Sequence, residues 1–187
     1  MSVPLRRYHF NVAEFYRMAD AGILTPDDHV ELIEGEIIEM SPTGSRHAAC
    51  VDRIVNKVLS RFIGHGAIVR VQSPIALDDF SEPQPDAALL RARADFYSQA
   101  HPTPDDVLLL VEVSDTTAAY DKRVKVPLYA RSGIAEVWVV DLTREVIEVY
   151  ARPAGGSYRQ FAEVKRGESV TSATVAGLTL PAEDIVG

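Results

Sequence analysis

The segment Val107-Leu108-Leu109-Leu110-Val111-Glu112-Val113 constrains this chain more than any other. Its first five residues form the longest purely apolar run in the sequence. The run is too short for a helix and is bounded by turn residues, so Leu108–Val113 reads as a strand buried on both faces. Such a strand needs layers packed on either side. A chain of 187 residues, 47% hydrophobic and 25% charged, can supply them. That composition predicts one soluble globular domain over residues 1–187 and excludes disorder. Eleven glycines and eleven prolines scattered without a period exclude a collagen-like chain. Five apolar residues span no bilayer, and no apolar stretch follows Arg6 and Arg7, so no membrane anchor or secretory signal is expected. Cys50 is the only cysteine, which excludes an intrachain disulfide and a Cys-rich metal site. A cytoplasmic location is expected.

The formal charge of −8 counts against non-specific polyanion binding by the molecule as a whole. Its distribution says more: −5 over residues 1–43, +3 over 44–65, −6 over 66–119, +3 over 120–131 and −3 over 132–187. Both positive segments read as helices.

Asn11 with Glu14 three residues later resembles a capping box, opening a short helix over Ala13–Ala19. Val30–Ile33 and Glu36–Met40 flank Glu34-Gly35, the pattern of a hairpin. Ser41-Pro42-Thr43-Gly44-Ser45 breaks the strand and offers N-caps. Residues 46–63 give the strongest helix, with Val51, Ile54, Val55, Val58, Leu59 and Phe62 as its apolar stripe. Arg46, Arg53, Lys57 and Arg61 make a basic stripe on another face, either a solvated surface or a phosphate-binding one. Ile68–Val71, Pro74–Leu77 and Asp86–Leu90 read as strands, and Arg91–Asp106 as an irregular excursion. Thr116 or Thr117 caps a helix ending near Arg131, with Pro127 expected to kink it and Gly133 as C-cap. Glu136–Val140, Glu145–Tyr150 and, more weakly, Tyr158–Val164 are strands, and the small-residue tail is expected to pack as edge structure. The order predicts an α/β or α+β layer arrangement with a mixed sheet.

Ionisable residues inside apolar strands mark the chemistry. Glu112 ends the most buried-looking strand, where a carboxylate is costly unless it meets a cation, a metal or donors. Asp86 opens another strand directly after Pro85. If the two strands are neighbours, both carboxylates reach one point at the sheet edge, where two carboxylates and a backbone carbonyl suit Mg²⁺. Lys125 stands four residues after Asp121 and four before Tyr129, so the three share a helical face. A lysine there can orient a metal-bound water or stabilise charge on a phosphate. The plainer reading is that Asp86 caps a turn, Glu112 pairs with a structural arginine and Lys125 is solvated.

The ordered set Glu31-Leu32-Ile33-Glu34-Gly35-Glu36, Met40-Ser41-Pro42, His47, Gln72-Ser73-Pro74-Ile75, Pro85-Asp86, Val111-Glu112-Val113-Ser114, Tyr120-Asp121 with Lys125, and Gly133-Ile134-Ala135-Glu136-Val137-Trp138-Val139-Val140-Asp141 resembles the Uma-two family. That family, domain of unknown function 820, belongs to the restriction-endonuclease-like PD-(D/E)XK superfamily. The resemblance covers roughly residues 10–165. It implies a restriction-endonuclease-like core, a central mixed β-sheet flanked by helices, with an N-terminal helix and β-hairpin. It also implies a Mg²⁺-dependent phosphodiesterase site in which Mn²⁺ can substitute. Pro85-Asp86 matches the "PD" element and Glu112-Val113-Ser114 matches "(D/E)XK", with Ser114 where the superfamily has lysine. In the family pattern the lysine comes from the following helix, here Lys125.

The resemblance assigns the metal to Asp86, Glu112, the Val113 carbonyl and Glu34, and catalysis to Asp86, Glu112, Lys125 and His47, the last as a phosphate contact or proton-transfer group. Glu31 reads as hairpin support, and Tyr129 and Trp138 as core. Arg46, Arg53, Lys57, Lys122 and Arg123 on the two positive helices are the expected nucleic-acid contacts. The leading expectation is a Mg²⁺-dependent endodeoxyribonuclease that pairs as a homodimer, with alanine at Glu112 or Lys125 abolishing cleavage while leaving the fold intact. The alternative is an inactive nuclease-fold module that binds nucleic acid or a protein. A small-molecule hydrolase or a purely structural dimer is less well supported: no Gly-rich phosphate loop, Gly-x-Ser-x-Gly elbow or His-Glu-x-x-His occurs, and the sequence gives no direct interface signal.

Overall fold

The computed structural model describes residues 6–115 and 118–187. Asn11 opens the first helix, Val12–Asp20 (α1), with the expected capping box: its side chain accepts the Glu14 N–H at 2.9 Å, and the Glu14 carboxylate accepts the Asn11 N–H at 3.0 Å. A hairpin follows, Val30–Ile33 (β1) paired with Glu36–Glu39 (β2). Glu34 and Gly35 both take positive φ at its turn, and a Cβ on Gly35 would lie 2.5 Å from His9 Cβ, so glycine is required there.

The second helix, Ser45–Arg53 (α2), starts from Gly44 without a side-chain cap. It then loosens into a π turn at Ile54–Val58 and a 3₁₀ turn at Leu59–Phe62, where the spacing predicts one regular helix. The apolar stripe is buried as expected, but the β-branched Val51, Ile54, Val55 and Val58 crowd successive turns and weaken α-geometry.

Six strands form the main sheet in chain order: Ala67–Val71 (β3), Ala87–Arg91 (β4), Val107–Ser114 (β5), Glu136–Asp141 (β6), Val146–Ala154 (β7) and Ser157–Lys165 (β8). Every pair is antiparallel except β5–β6. Pro74–Leu77, expected as a strand, joins none. Pro74 has no N–H, and the next three amides bond the carbonyls of Pro83, Pro102 and Ser81.

Parallel neighbours need a crossover, supplied here by Ala118–Tyr120 (α3), a π turn at Asp121–Lys125 and Val126–Ser132 (α4). The expected Thr116 or Thr117 cap lies outside the described residues. Pro127 stands at the start of α4, just after the π turn has carried the Val126 N–H to the Asp121 carbonyl, so its missing donor falls at a helix start. Gly133 closes α4 in the left-handed conformation.

Alternation along β5 feeds two cores. Leu109, Val111 and Val113 pack with α2, while Leu110 packs with Val126, Tyr129 and Ile134. Glu112 and Ser114 share the parity of Leu110 and so face the crossover.

The tail differs from the edge structure expected of it. Ser169–Thr171 (β9) pairs with Thr179–Pro181 (β10), and together with Glu183–Val186 (α5) they bring Val170, Leu178, Leu180 and Ile185 into the core beside α2. Among the described residues no helix is long and apolar enough to cross a membrane.

Candidate active site

Because Ala87 of β4 pairs with Val111 of β5, the residues just beyond, Asp86 and Glu112, arrive together where β4 begins. Asp86 is held on both oxygens. Oδ2 accepts the Val113 N–H at 2.8 Å, and His47 Nε2 meets Oδ1 at 3.1 Å, with the Gln72 amide more distant at 3.4 Å. Asp121, Lys125 and Tyr129 line the facing side, all buried. Tyr129 donates to Glu112 Oε1 at 2.6 Å, and Ser114, in the motif lysine's place, donates to Asp121 at 2.6 Å. Lys125 Nζ lies 3.4 Å from Glu112 Oε1 and 3.0 Å from Glu31 Oε1. The π turn that carries Asp121 and Lys125 is a distortion that recurs at functional sites.

Asp86, Glu112, Lys125 and His47 are thus brought together, with the Val113 peptide among them. Glu34 is not. It occupies the hairpin turn, its side chain 57% exposed and paired with Arg131 at 2.6 Å, which corrects its reading as a metal ligand. Glu31 is the hairpin carboxylate that is buried, within a strand whose Leu32 and Ile33 are buried as well, whereas Glu34 falls on the exposed turn. The rule that singled out Glu112 could have found it: Glu31 is the one charged residue within Val30-Glu31-Leu32-Ile33.

The expected nucleic-acid contacts are partly engaged within the molecule. Arg53 donates to the carbonyls of Ile185 and Val186, and Lys57 pairs with Asp184 at 3.6 Å. Lys122 is held by Asp141 at 3.1 Å and Glu148 at 2.8 Å, and Arg46 by the Leu142 carbonyl and Asp115. Arg123 is exposed. Arg53 is therefore corrected from a free cation to a clasp on the tail, whereas Lys57 keeps a half-exposed side chain.

Electrostatically the site carries an excess of negative charge, with Glu31, Asp86, Glu112 and Asp121 gathered round one ammonium and one imidazole. Burial pushes the Glu112 carboxyl up to about 8. Lys125 opposes this, while Asp121, Asp86 and Glu31 reinforce it. Burial works against the Lys125 ammonium, but Glu112 and Glu31 outweigh it and hold the group charged. The hydrogen bond to Asp86 raises His47 above its usual value against burial, and the Val113 carbonyl adds to the rise. Surplus hard oxygen donors suit a divalent cation of the Mg²⁺ type. Among the described residues no three His, Cys, Asp or Glu side chains form a cage, so the shell would draw on the Val113 carbonyl and water.

Tyr120 adds an anomaly. Its hydroxyl is buried with no hydrogen-bond partner among the described residues, and burial, then Glu31, pushes it up to about 12. Leaving a buried donor unmade costs about 1–3 kcal/mol. Tyr120→Phe is therefore expected to melt at or above the wild-type temperature, and a clear fall would show that the hydroxyl is satisfied in solution.

A mixed sheet with two carboxylates at the start of one strand and the end of its neighbour, and a lysine from the crossover, places the molecule among restriction-endonuclease-like folds. The chain belongs to the Uma2 family, whose model, described as "Putative restriction endonuclease", matches residues 12–183. A crystal structure of "a putative nuclease belonging to DUF820" from Anabaena variabilis superposes with a TM-score of 0.71, covering 95% of this chain and 97% of that one at 16% identity. Identity at that level shows the fold alone. No functionally curated protein matches the chain.

Proposed function

We propose that this protein is a metal-dependent endonuclease that hydrolyses phosphodiester bonds in DNA. The observation that carries the reading is the meeting of Asp86, partly buried, with the buried Glu112 and Lys125 in one acidic site. Asp86, Glu112 and the Val113 carbonyl would hold Mg²⁺, or Mn²⁺ in its place, and the bound cation would supply Lewis acidity at a phosphoryl oxygen. Lys125, a donor only, orients the attacking water and offsets charge growing on the phosphate. The water oxygen bonds to phosphorus and its proton passes to solvent, while the leaving oxygen takes a proton from solvent as its own bond to phosphorus breaks. His47 fixes the Asp86 carboxylate and, when protonated, presents a cation toward the phosphate. Ser114 and Asp121 brace the start of the crossover that delivers Lys125. Arg46, beside His47 and half exposed, and the exposed Arg123 are the cations best placed to meet a DNA backbone. A homodimer would put one such site on each strand of a duplex.

Calorimetric titration with Mn²⁺, together with nicking of supercoiled plasmid in Mg²⁺, tests the proposal. Wild type is expected to bind the cation and nick the plasmid, and Asp86→Asn to do neither. A second reading, an inactive module that binds nucleic acid or protein, is favoured by Ser114 in the lysine's place. It predicts no nicking, and no cation binding that depends on Asp86.

A further inference from the structure

We infer that Glu31, on the hairpin and outside the main sheet, is the positioning residue for Lys125. The inference rests on the nuclease reading of the site. Lys125 lies between two carboxylates, but the two are not equivalent. Glu112 Oε1 already accepts the Tyr129 hydroxyl at 2.6 Å and stands 3.4 Å from Nζ, whereas Glu31 Oε1 is at 3.0 Å, hydrogen-bond distance. Glu31 therefore sets where the ammonium sits. Its other oxygen is fixed too, accepting the Gln84 N–H at 3.0 Å, while the Gln84 side chain donates to the Val30 carbonyl at 3.1 Å.

Gln84 lies two residues before Asp86, so one short segment, Gln84-Pro85-Asp86, anchors both the group that aims Lys125 and the carboxylate opposite. The hairpin is itself tied down where Leu32 bridges Glu82, the Glu82 N–H meeting the Leu32 carbonyl at 2.8 Å. Burying Glu31 to 2% exposure is costly for hairpin support alone, since an apolar residue would support β1 without the desolvation. Sharing the ammonium leaves Glu112 only partly occupied by Lys125 and free to serve a second cation. A lysine held by Glu112 alone would compete with that cation.

Glu31→Gln keeps the side chain's shape and an acceptor for Gln84. In Mg²⁺ its kcat is expected to fall about 10- to 100-fold, the usual cost of losing a group that orients a first ligand or catalyst. KM and calorimetric Mn²⁺ affinity are expected to stay at wild-type values. An unchanged kcat overturns the inference, and so does a parallel loss of Mn²⁺ affinity, which would make Glu31 a cation ligand. If Glu31→Gln does not fold, Glu31→Asp, which withdraws the carboxylate by one methylene, is expected to show the same kcat loss, and wild-type kcat there overturns the inference.

If wild type cleaves nothing, the nuclease reading fails, and the Lys125 ammonium resonance in ¹⁵N-edited NMR decides the positioning. A slowly exchanging Nζ signal in wild type and Tyr129→Phe that vanishes in Glu31→Gln upholds it. A signal that persists in Glu31→Gln sinks it.

Discussion

Lys125→Met is expected to cost the fold about 3–5 kcal/mol as well as ending cleavage, because it leaves buried carboxylates without their cation. The sequence alone suggests that this lysine can be removed with the fold intact. Its place in the structure, its side chain 8% exposed beside Glu31 and Glu112, says otherwise. The loss has a pH signature. The folded-state value of the Glu112 carboxyl is raised, to about 8, above its ordinary value of 4.5. Its contribution to stability is therefore complete below about 4.5 and is lost as pH climbs through 8. Without the ammonium the carboxyl rises further. Urea denaturation in chelator is thus expected to show the gap between variant and wild type widening as pH rises through 8, where Glu112 ionises in wild type but stays protonated in the variant. Adding Glu31→Gln, which removes one uncompensated charge, should recover part of it. A variant as stable as wild type at pH 8 would mean that the ammonium is solvated in solution.

Glu136→Ala is expected to be as damaging, far from any chemistry. Glu136 is fully buried and accepts five hydrogen bonds: from Trp138 Nε1 at 2.6 Å, Ser172 Oγ at 2.8 Å, the Ala173 and Thr174 amides at 2.8 and 2.9 Å, and Thr174 Oγ1 at 2.8 Å. At about 1 kcal/mol net per bond, truncation should cost about 3–5 kcal/mol, more if the orphaned amides stay buried. The loss should also be local in kind. Amide exchange at residues 172–175 is expected to accelerate before that of β5, since the carboxylate holds the β9–β10 loop against the sheet. Uniform acceleration across the molecule would contradict that division.

These two residues mark the limits of what the sequence reveals. Glu112 and Asp86 stand out because a charge beside an apolar strand costs free energy unless something answers it, and the strand pairing that joins them is local to a mixed sheet. Lys125 follows from its four-residue steps to Asp121 and Tyr129. Glu31 obeys the same rule as Glu112 but sits in a short strand, and its partner lies 94 residues later, so nothing local announces the contact. The clasp on Arg53 and the acceptor role of Glu136 are hidden for a related reason. Each depends on where a tail of small residues folds back, and Ser, Thr and Ala carry little periodic signal. The π turns escape as well, since a helix that widens by one residue keeps nearly the same apolar spacing over a short run.

The clasp has a consequence for how the molecule comes into being. α2, which bears His47 near its start, rests on carbonyls of Ile185 and Val186 through Arg53, and Cys50 Sγ lies 3.4 Å from the first of them. A growing polypeptide at the ribosome therefore lacks the seat for this helix until residues 185 and 186 have emerged. Until those two residues are in place, α2 and the His47 it carries lack one of the contacts that hold them beside Asp86.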